Sequence, residues 1–399
     1  MVKTTETGRS RDRPAAVPVL PVELILWEIL ILLPAKDLLR CRAVCRSWCL
    51  LTSDADFLLA HHRQQPSLPL VSFHGETNFD NSIRVDAALD AIDLRQRPTE
   101  RQPVLRFNDY SHRRRYVVHA SCDGLILLSL SNGRFYLCNP ATRQWTGLPG
   151  LTGASIAGMY SHIPSGEFRI LYWKGAAKYG ANDAVYYVLT VGSLLEPRSI
   201  GQPVASPSVK EFIQRGLHDE CPPVLLRNSL HWPRSGELQG NVIVAFDTVG
   251  ELFRLMRCPN VARPYLLEMD RTMGISWLNG RHQTVSLWVL QNYEAESWSL
   301  KYRIKCPVAE MSNIIEEDPW FHGMIVSENG DLLVVCLMTS HMFHCDKKGK
   351  VLQKFHRDQV KTVVTGLWFK ENLFKHAFFE RETGRRMAPT DANIVYINH

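Results

Sequence analysis

The sequence predicts two unlike parts: a small N-terminal module of three helices, then an all-β domain of about six propeller-like blades. Three observations carry this expectation. Ten of the twelve residues from Val22 to Leu33 are apolar. A stretch rich in Pro, Arg and Asp follows the helical part. Beyond Val117, short apolar or alternating runs recur between Asn, Gly, Asp and Pro, without long amphipathic helices.

Residues 1–17 are charged and polar and read as a disordered tail, lacking the apolar core of a signal peptide. The module is expected over 18–62. As a helix, the run VELILWEILILL would be apolar on nearly every face, unlike the single stripe of a surface helix. Pro21 opens it at the first turn and Pro34 closes it. Asp37 to Cys45 reads as a second helix, with Leu38, Cys41 and Cys45 on one stripe. Ser47 is placed to cap a third helix that begins at Trp48 and carries Leu50 and Leu51. Asp54 and Phe57 end the module. Folding is already marginal below roughly 40–60 residues. Part of the apolar surface is therefore expected to await another protein.

Arg63 to Tyr116 contains only short strand-like pieces such as Pro69–His74, so a linker is expected over 63–116. The β domain is expected over 117–385 and a C-terminal tail over 386–399. Strand-like runs are Leu125–Leu130, Phe135–Cys138, Phe168–Trp173, Val185–Val191, Val242–Phe246, Val285–Leu290 and Leu332–Met338. Such spacing fits a sandwich, barrel or propeller. Weak internal similarity favours the propeller. The stretches Cys122–Pro149, Asn228–Pro259, Thr284–Lys305 and Val326–Phe355 share a plan of strand, tight turn, strand and a polar step carrying an aromatic. Asn132–Gly133, Asn329–Gly330 and Lys348–Gly349 supply turns.

A net charge of +6 is small for 399 residues and spread along the chain. Nucleic-acid binding, which needs a concentrated basic face, is not expected. The basic run His112 to Arg115 fits part of a nuclear-localisation pattern and equally a solvated loop, the reading preferred here. No run approaches the roughly 18 apolar residues of a membrane span. Ten cysteines without a CxxC pair, and no Asn-X-Ser/Thr acceptor, point to free thiols in the cytoplasm or nucleus.

No residue pattern demands catalysis, and no cofactor is expected. There is no phosphate-binding glycine loop and no GxSxG elbow. His341, His344 and Cys345 form the tightest ligand-like cluster. On a strand His344 would face away from the other two, so packing is preferred over zinc. Glu316, Glu317 and Asp318 are consecutive and read as a surface loop. Trp145, Trp232, Trp277, Trp288, Trp298, Trp320 and Trp368 could be stacking platforms, but their recurrence favours blade packing. The segments Ser193–Val209, Arg257–Asp270 and Met311–His322 are the candidate partner-facing loops.

The pattern from Leu20 to Phe57 closely resembles the F-box, through Leu20, Pro21, Leu24, Ile29, Leu30, Leu33, Pro34, Leu38, Leu39, Val44, Cys45, Trp48 and Phe57. Trp27 is bulkier than that pattern expects, and Cys41 stands where a larger apolar residue is common. The β units resemble the F-box-associated domain of plant F-box proteins. Cys122-Asp123-Gly124, Asn139-Pro140-Ala141-Thr142, His231-Trp232, Phe246-Asp247-Thr248, Trp288, Trp298 and Asp346 carry that likeness. One departure is Phe374–Glu380 (FKHAFFE), where a regular closing strand is expected, so ring closure is left open.

The resemblance implies a non-catalytic substrate receptor of an SCF-type (cullin–RING) E3 ubiquitin ligase. On it, Leu20, Pro21, Leu24, Ile29, Leu30, Pro34, Leu38, Leu39, Val44, Cys45 and Trp48 would bind a Skp-type adaptor, with Trp48 and Leu30 as first anchors. The adaptor joins a cullin, and the β domain would bind an unknown protein substrate. The alternatives are an F-box interaction protein with no role in degradation, and a propeller enzyme or lectin with an incidental helical tail.

Overall fold

The structure, a computed structural model, describes residues 20–75, 87–107, 116–130, 133–175, 184–201, 207–214, 216–217, 222–236, 240–261, 264–269, 272–279, 283–307, 321–327, 329–336, 341–356, 360–380 and 394–395. The tail 1–17, the basic run 112–115, the carboxylates 316–318 and Trp320 lie outside them. The chain divides into two units, Met1–Gln65 and Pro66–His399. No helix of the described residues is long and apolar enough to cross a membrane.

The first unit holds four helical stretches rather than the expected three. The first, α1, is not uniform: it is α-helical over Val22–Leu24, a π-helix over Ile25–Ile29 and a 3-10 helix over Leu30–Leu32. α2 spans Ala35–Arg42, α3 Arg46–Leu51 and α4 Ala55–Gln64. Ser47 is not the cap of α3. Cys45 takes that role, its Sγ accepting the Trp48 backbone N–H at 3.4 Å, so Cys45 leaves the stripe shared with Leu38 and Cys41. Asp54 caps the unforeseen α4, accepting the N–H groups of Asp56 and Phe57.

The second unit is a six-bladed β-propeller. Its described strands form six antiparallel sheets, five of four strands and one of five. Blade 1 contains β1 (Leu68–Gly75), β2 (Ala87–Asp93) and β3 (Glu100–Phe107). Blade 2 runs β4 (Tyr116–Cys122), β5 (Leu125–Leu130), β6 (Phe135–Asn139) and β7 (Gln144–Gly147). Blade 3 runs β8 (Ser155–His162), β9 (Glu167–Lys174), β10 (Val185–Thr190) and β11 (Arg198–Gly201). After the helix α5 (Pro207–Ile213), blade 4 runs β12 (Val224–Leu226), β13 (Ser229–Gly236), β14 (Gly240–Asp247) and β15 (Phe253–Arg257). Blade 5 runs β16 (Tyr265–Met269), β17 (Thr272–Asn279), β18 (Thr284–Asn292) and β19 (Ser297–Lys305). Blade 6 runs β20 (Phe321–Ile325), β21 (Leu332–Cys336), β22 (His341–Cys345) and β23 (Val351–His356).

The ring closes through β24 (Val360–Phe369), which pairs antiparallel with β1 from Leu68↔Phe369 to Gly75↔Val360 and so supplies the innermost strand of blade 1. The expected linker over 63–116 is therefore wrong for Leu68–Gly75, Ala87–Asp93 and Glu100–Phe107, which are strands of blade 1. Its charged composition has a structural use: Asp90, almost fully buried, accepts from the guanidiniums of Arg101 and Arg106 on the neighbouring strand. A buried carboxylate held by two arginines is a satisfied charge, but in sequence it looks like solvated linker.

The apolar core lies in clusters between neighbouring blades, for example Val71, Ile92, Leu333 and Phe343 between blades 1 and 6. Turns that join first to second and third to fourth strands share one end of the propeller, here the lower face. The upper face carries the remaining turns and the crossovers between blades.

Candidate functional site

The helical unit has a thin core and an apolar outside. Leu26, Leu30, Ile31, Ala35, Leu38, Phe57 and Leu58 form the inside. The backbone around it is tied by side chains. His61 Nε2 donates to the Leu33 carbonyl at 2.8 Å, and Gln65 donates to the same oxygen at 3.1 Å. Burial pushes the His61 imidazole below its ordinary range, so it stays neutral in this role. Arg42 of α2 donates from Nη2 to the Thr52 carbonyl at 2.6 Å and from Nε to the Thr52 hydroxyl at 3.2 Å. A cation on the open carbonyls at the end of α3 satisfies groups that no helical partner can reach.

Eleven of the twenty exposed large hydrophobic residues in the described chain fall between residues 20 and 59: Leu20, Val22, Leu24, Trp27, Ile29, Leu32, Leu39, Val44, Leu50, Leu51 and Leu59. The π segment of α1 sets which of them face out. In an i→i+5 turn, residues five apart lie one above the other, so Leu24 and Ile29 share the outside. Leu26, Leu30 and Ile31 turn inward. Trp27 rests on the buried Phe57 ring, with centroids 5.7 Å apart.

Of the residues indicated from sequence, Leu20, Pro21, Leu24, Ile29, Pro34, Leu39, Val44 and Cys45 are exposed and Trp48 is half-buried. Leu30 (3% exposed) and Leu38 (0%) are core. They hold the exposed residues in place from beneath, and Leu30 is not an exposed anchor. Val22, Trp27, Leu32, Leu50, Leu51 and Leu59 belong to the exposed set and were not among the adaptor residues indicated. For Val22, Trp27 and Leu32 the largely apolar run was the signal, but a uniform 3.6-residue helix gave no way to choose among its faces.

In the propeller the candidate partner loops do not share one end. Arg257–Asp270 leads from the end of β15 by an upper-face crossover into β16, with 262–263 and 270 outside the described residues; of Met311–His322 only 321–322, the start of β20, are described. Ser193–Val209 contains β11, so residues 193–197 lie on the lower face and the start of α5 on the upper. The lower face carries exposed Ile163, Leu194, Leu195, Val249 and Leu252 on turns of blades 3 and 4. Glu251 joins these turns, paired with Arg198 and with Arg169 at 3.5 Å.

The tryptophans singled out from sequence pack between blades. Trp232 is buried and its indole N–H donates to the Ala157 carbonyl of blade 3 at 2.9 Å. Trp298 donates to the Arg257 carbonyl of blade 4 at 3.0 Å. Trp145, Trp277, Trp288 and Trp368 are half-buried. His344 is buried between Thr99 Oγ1 at 2.8 Å and Asp331 Oδ1 at 3.1 Å, while His341 stacks on His356. Among the described residues no three His, Cys, Asp or Glu side chains are grouped to hold a metal.

Two family profiles match this chain: an F-box-like profile over residues 17–64 and the F-box associated beta propeller domain over 94–381. F-box protein At3g07870 of Arabidopsis thaliana is 24% identical over 363 residues, covering 83% of this chain and 83% of its own length. F-box protein CPR1 of the same plant is 25% identical over 314 residues, covering 71% of this chain and 72% of its own. Among solved structures, TolB from Acinetobacter baumannii aligns at a TM-score of 0.38 and 12% identity, covering 81% of this chain and 72% of its own, a likeness too slight to carry an argument. A helical unit with an uncovered apolar outside, a closed six-bladed ring and two profiles that between them span most of the chain agree: the chain belongs to the plant F-box proteins that carry an F-box associated β-propeller domain.

Proposed function

We propose that this protein is the substrate-recognition subunit of an SCF-type (cullin–RING) E3 ubiquitin ligase. The helical unit docks a Skp-type adaptor, and the propeller recruits a protein substrate for ubiquitination. The observation that carries the reading is the crowding of eleven exposed large hydrophobics into residues 20–59. Water-exposed apolar surface at that density is costly unless a partner covers it. An interface of standard size, about 1,600 Å² in total, would do so.

On this reading the protein performs no bond chemistry. It raises the local concentration of a substrate lysine beside the charged conjugating enzyme, which makes the transfer effectively intramolecular.

The test is co-purification of the full chain with a plant Skp-type adaptor and cullin. Leu24→Asp and Val44→Asp place a charge on exposed positions and should weaken adaptor binding at least about 30-fold, roughly 2 kcal/mol, with the propeller still folded. Adaptor binding that survives both substitutions would overturn the assignment.

A further inference from the structure

With β24 on its inner edge blade 1 has four strands, and a fifth, Ile394–Val395, pairs with β3 at the outer edge; the chain from Phe369 reaches it by way of residues 370–380. Residues 370–380 form no β-ladder. They leave the inner edge of blade 1, cross the lower face over two turns of blade 2, and end in a short helix, Ala377–Glu380, against blade 3. Their hold is that of a bound peptide. Asn139, fully buried in blade 2, donates its amide N–H to the Asn372 carbonyl at 3.0 Å. The Asn372 side chain donates to the Asp123 carbonyl at 2.6 Å, and its oxygen accepts the Phe374 N–H at 2.7 Å.

Aromatic rings make the rest of the contact. Phe379 is buried in the cluster between blades 2 and 3, beside Phe135, Leu148, Phe168 and Val191. His376 meets Phe168 edge to face at 5.2 Å and stacks on Phe378 at 5.1 Å. The floor of the groove is shaped for this passage. A Cβ on Gly124 would overlap Asn372, and one on Gly192 would overlap Phe378, so both turns lack side chains where the segment crosses.

We propose that residues 370–380 are a detachable strap, an internal ligand of a groove between blades 2 and 3. A substrate peptide with an asparagine followed six residues later by an aromatic pair, as Asn372 is by Phe378–Phe379, competes for that groove. Residues 370–380 themselves contribute no strand to any blade, and the strap's anchors are side chains and backbone atoms that a foreign chain can supply as well. This deepens the recruiting role and rests on it only in calling the competitor a substrate. Being tethered, the strap acts as a ligand at about millimolar effective concentration, so a competitor must be present in excess or bind better.

Two measurements on the full chain test it. In hydrogen exchange of the wild type, the Phe374 and Phe379 amides should exchange at least tenfold faster than those of β24, because the strap opens without the ring. Equal protection of strap and β24 would overturn the proposal. In the second, fluorescein-labelled peptide of residues 370–380 is titrated against Phe378→Ala/Phe379→Ala. Saturable binding at least tenfold tighter than to the wild type is expected, and none by a peptide with both phenylalanines changed to alanine. No peptide binding to a variant whose β24 stays protected would also overturn it. If that variant loses the ring, Asn372→Ala replaces it under the same criterion. Neither measurement involves the adaptor, so failure here leaves the ligase reading standing, and failure of adaptor binding leaves the strap standing.

Discussion

His231 of blade 4 accepts the hydroxyl proton of Tyr293 in blade 5 at Nε2, across 2.9 Å. The direction of that bond is fixed by the other ring nitrogen. Nδ1 lies 3.1 Å from the Val224 carbonyl, which can only accept, so Nδ1 carries the proton and Nε2 is the acceptor. The Tyr293 ring is itself held between the Arg227 and Arg254 guanidiniums, at 4.9 and 5.1 Å from its centre. One neutral imidazole thus links two blades that no strand pairing joins.

Burial pushes the His231 imidazole down to about 4. Its unfolded counterpart titrates near 6.5. Between those values the unfolded chain binds the extra proton, so stability is present above about pH 6.5 and is lost as pH falls toward 4, by roughly 3 kcal/mol for this group. Urea unfolding of the wild type and His231→Gln across this range should show a shallower pH dependence in the variant. Identical slopes would remove His231 as the cause.

Tyr293→Phe leaves His231 Nε2 without its donor inside the fold. Stability should fall by about 1–3 kcal/mol, the cost of a buried unsatisfied polar atom. A urea midpoint within error of the wild type would mean that water or another group replaces the hydroxyl.

The seam between blades 6 and 1 has a second clasp beside the β24–β1 pairing. Thr99 of blade 1 and Asp331 of blade 6 take opposite nitrogens of the buried His344, and the Thr99 N–H donates to Gln353 at 2.6 Å. Burial raises the Asp331 carboxyl pKa, but the hydrogen bonds from His344 and Ser327 together with the nearby Arg97 charge outweigh it and hold the carboxyl below its ordinary range. His344→Ala should cost about 2–4 kcal/mol. In a double-mutant cycle with Thr99→Val the two losses should fall short of additivity by at least about 0.5 kcal/mol. Additive losses would show that the two residues act independently.

In the helical unit, Leu38→Ala should destabilise by about 2–5 kcal/mol, because it opens a cavity at a fully buried site. Leu24→Ala on the exposed side should stay within about 0.5 kcal/mol. Hydrogen exchange over residues 20–65 separates the two. Equal protection in both variants would contradict the division into core and exposed side.

The strand runs read from sequence were sound where blades are most regular. Leu125–Leu130 is β5, and Phe168–Trp173 lies within β9. Three of the four repeat units, however, began one strand late, and Thr284–Lys305 began two strands late, at β18. Cys122–Pro149 contains β5, β6 and β7 but almost none of β4, and Asn228–Pro259 contains β13 to β15 but not β12. Inner strands can be as short as Val224–Leu226 and crowd the axis with residues such as Ala157 and Gly158. They lack the alternation that marks a strand with one wet face.

Local chemistry was enough to determine the parts of this protein. A run apolar at ten of twelve positions between prolines made a helix with apolar residues left on its outside. Alternating runs between turn residues made strands, and a dozen spaced positions pointed to the F-box. Tertiary structure alone decided which leucines of that helix are core, because a π turn changes the phase that a uniform helix assumes. It alone turned a charged linker into blade 1, because Asp90 needs Arg101 and Arg106 from the next strand before it can be buried. Only the fold brings Phe369 back to Leu68, some 300 residues apart, to close the ring. Pairing across that separation depends on where all six blades place the two ends, and no local pattern carries that information.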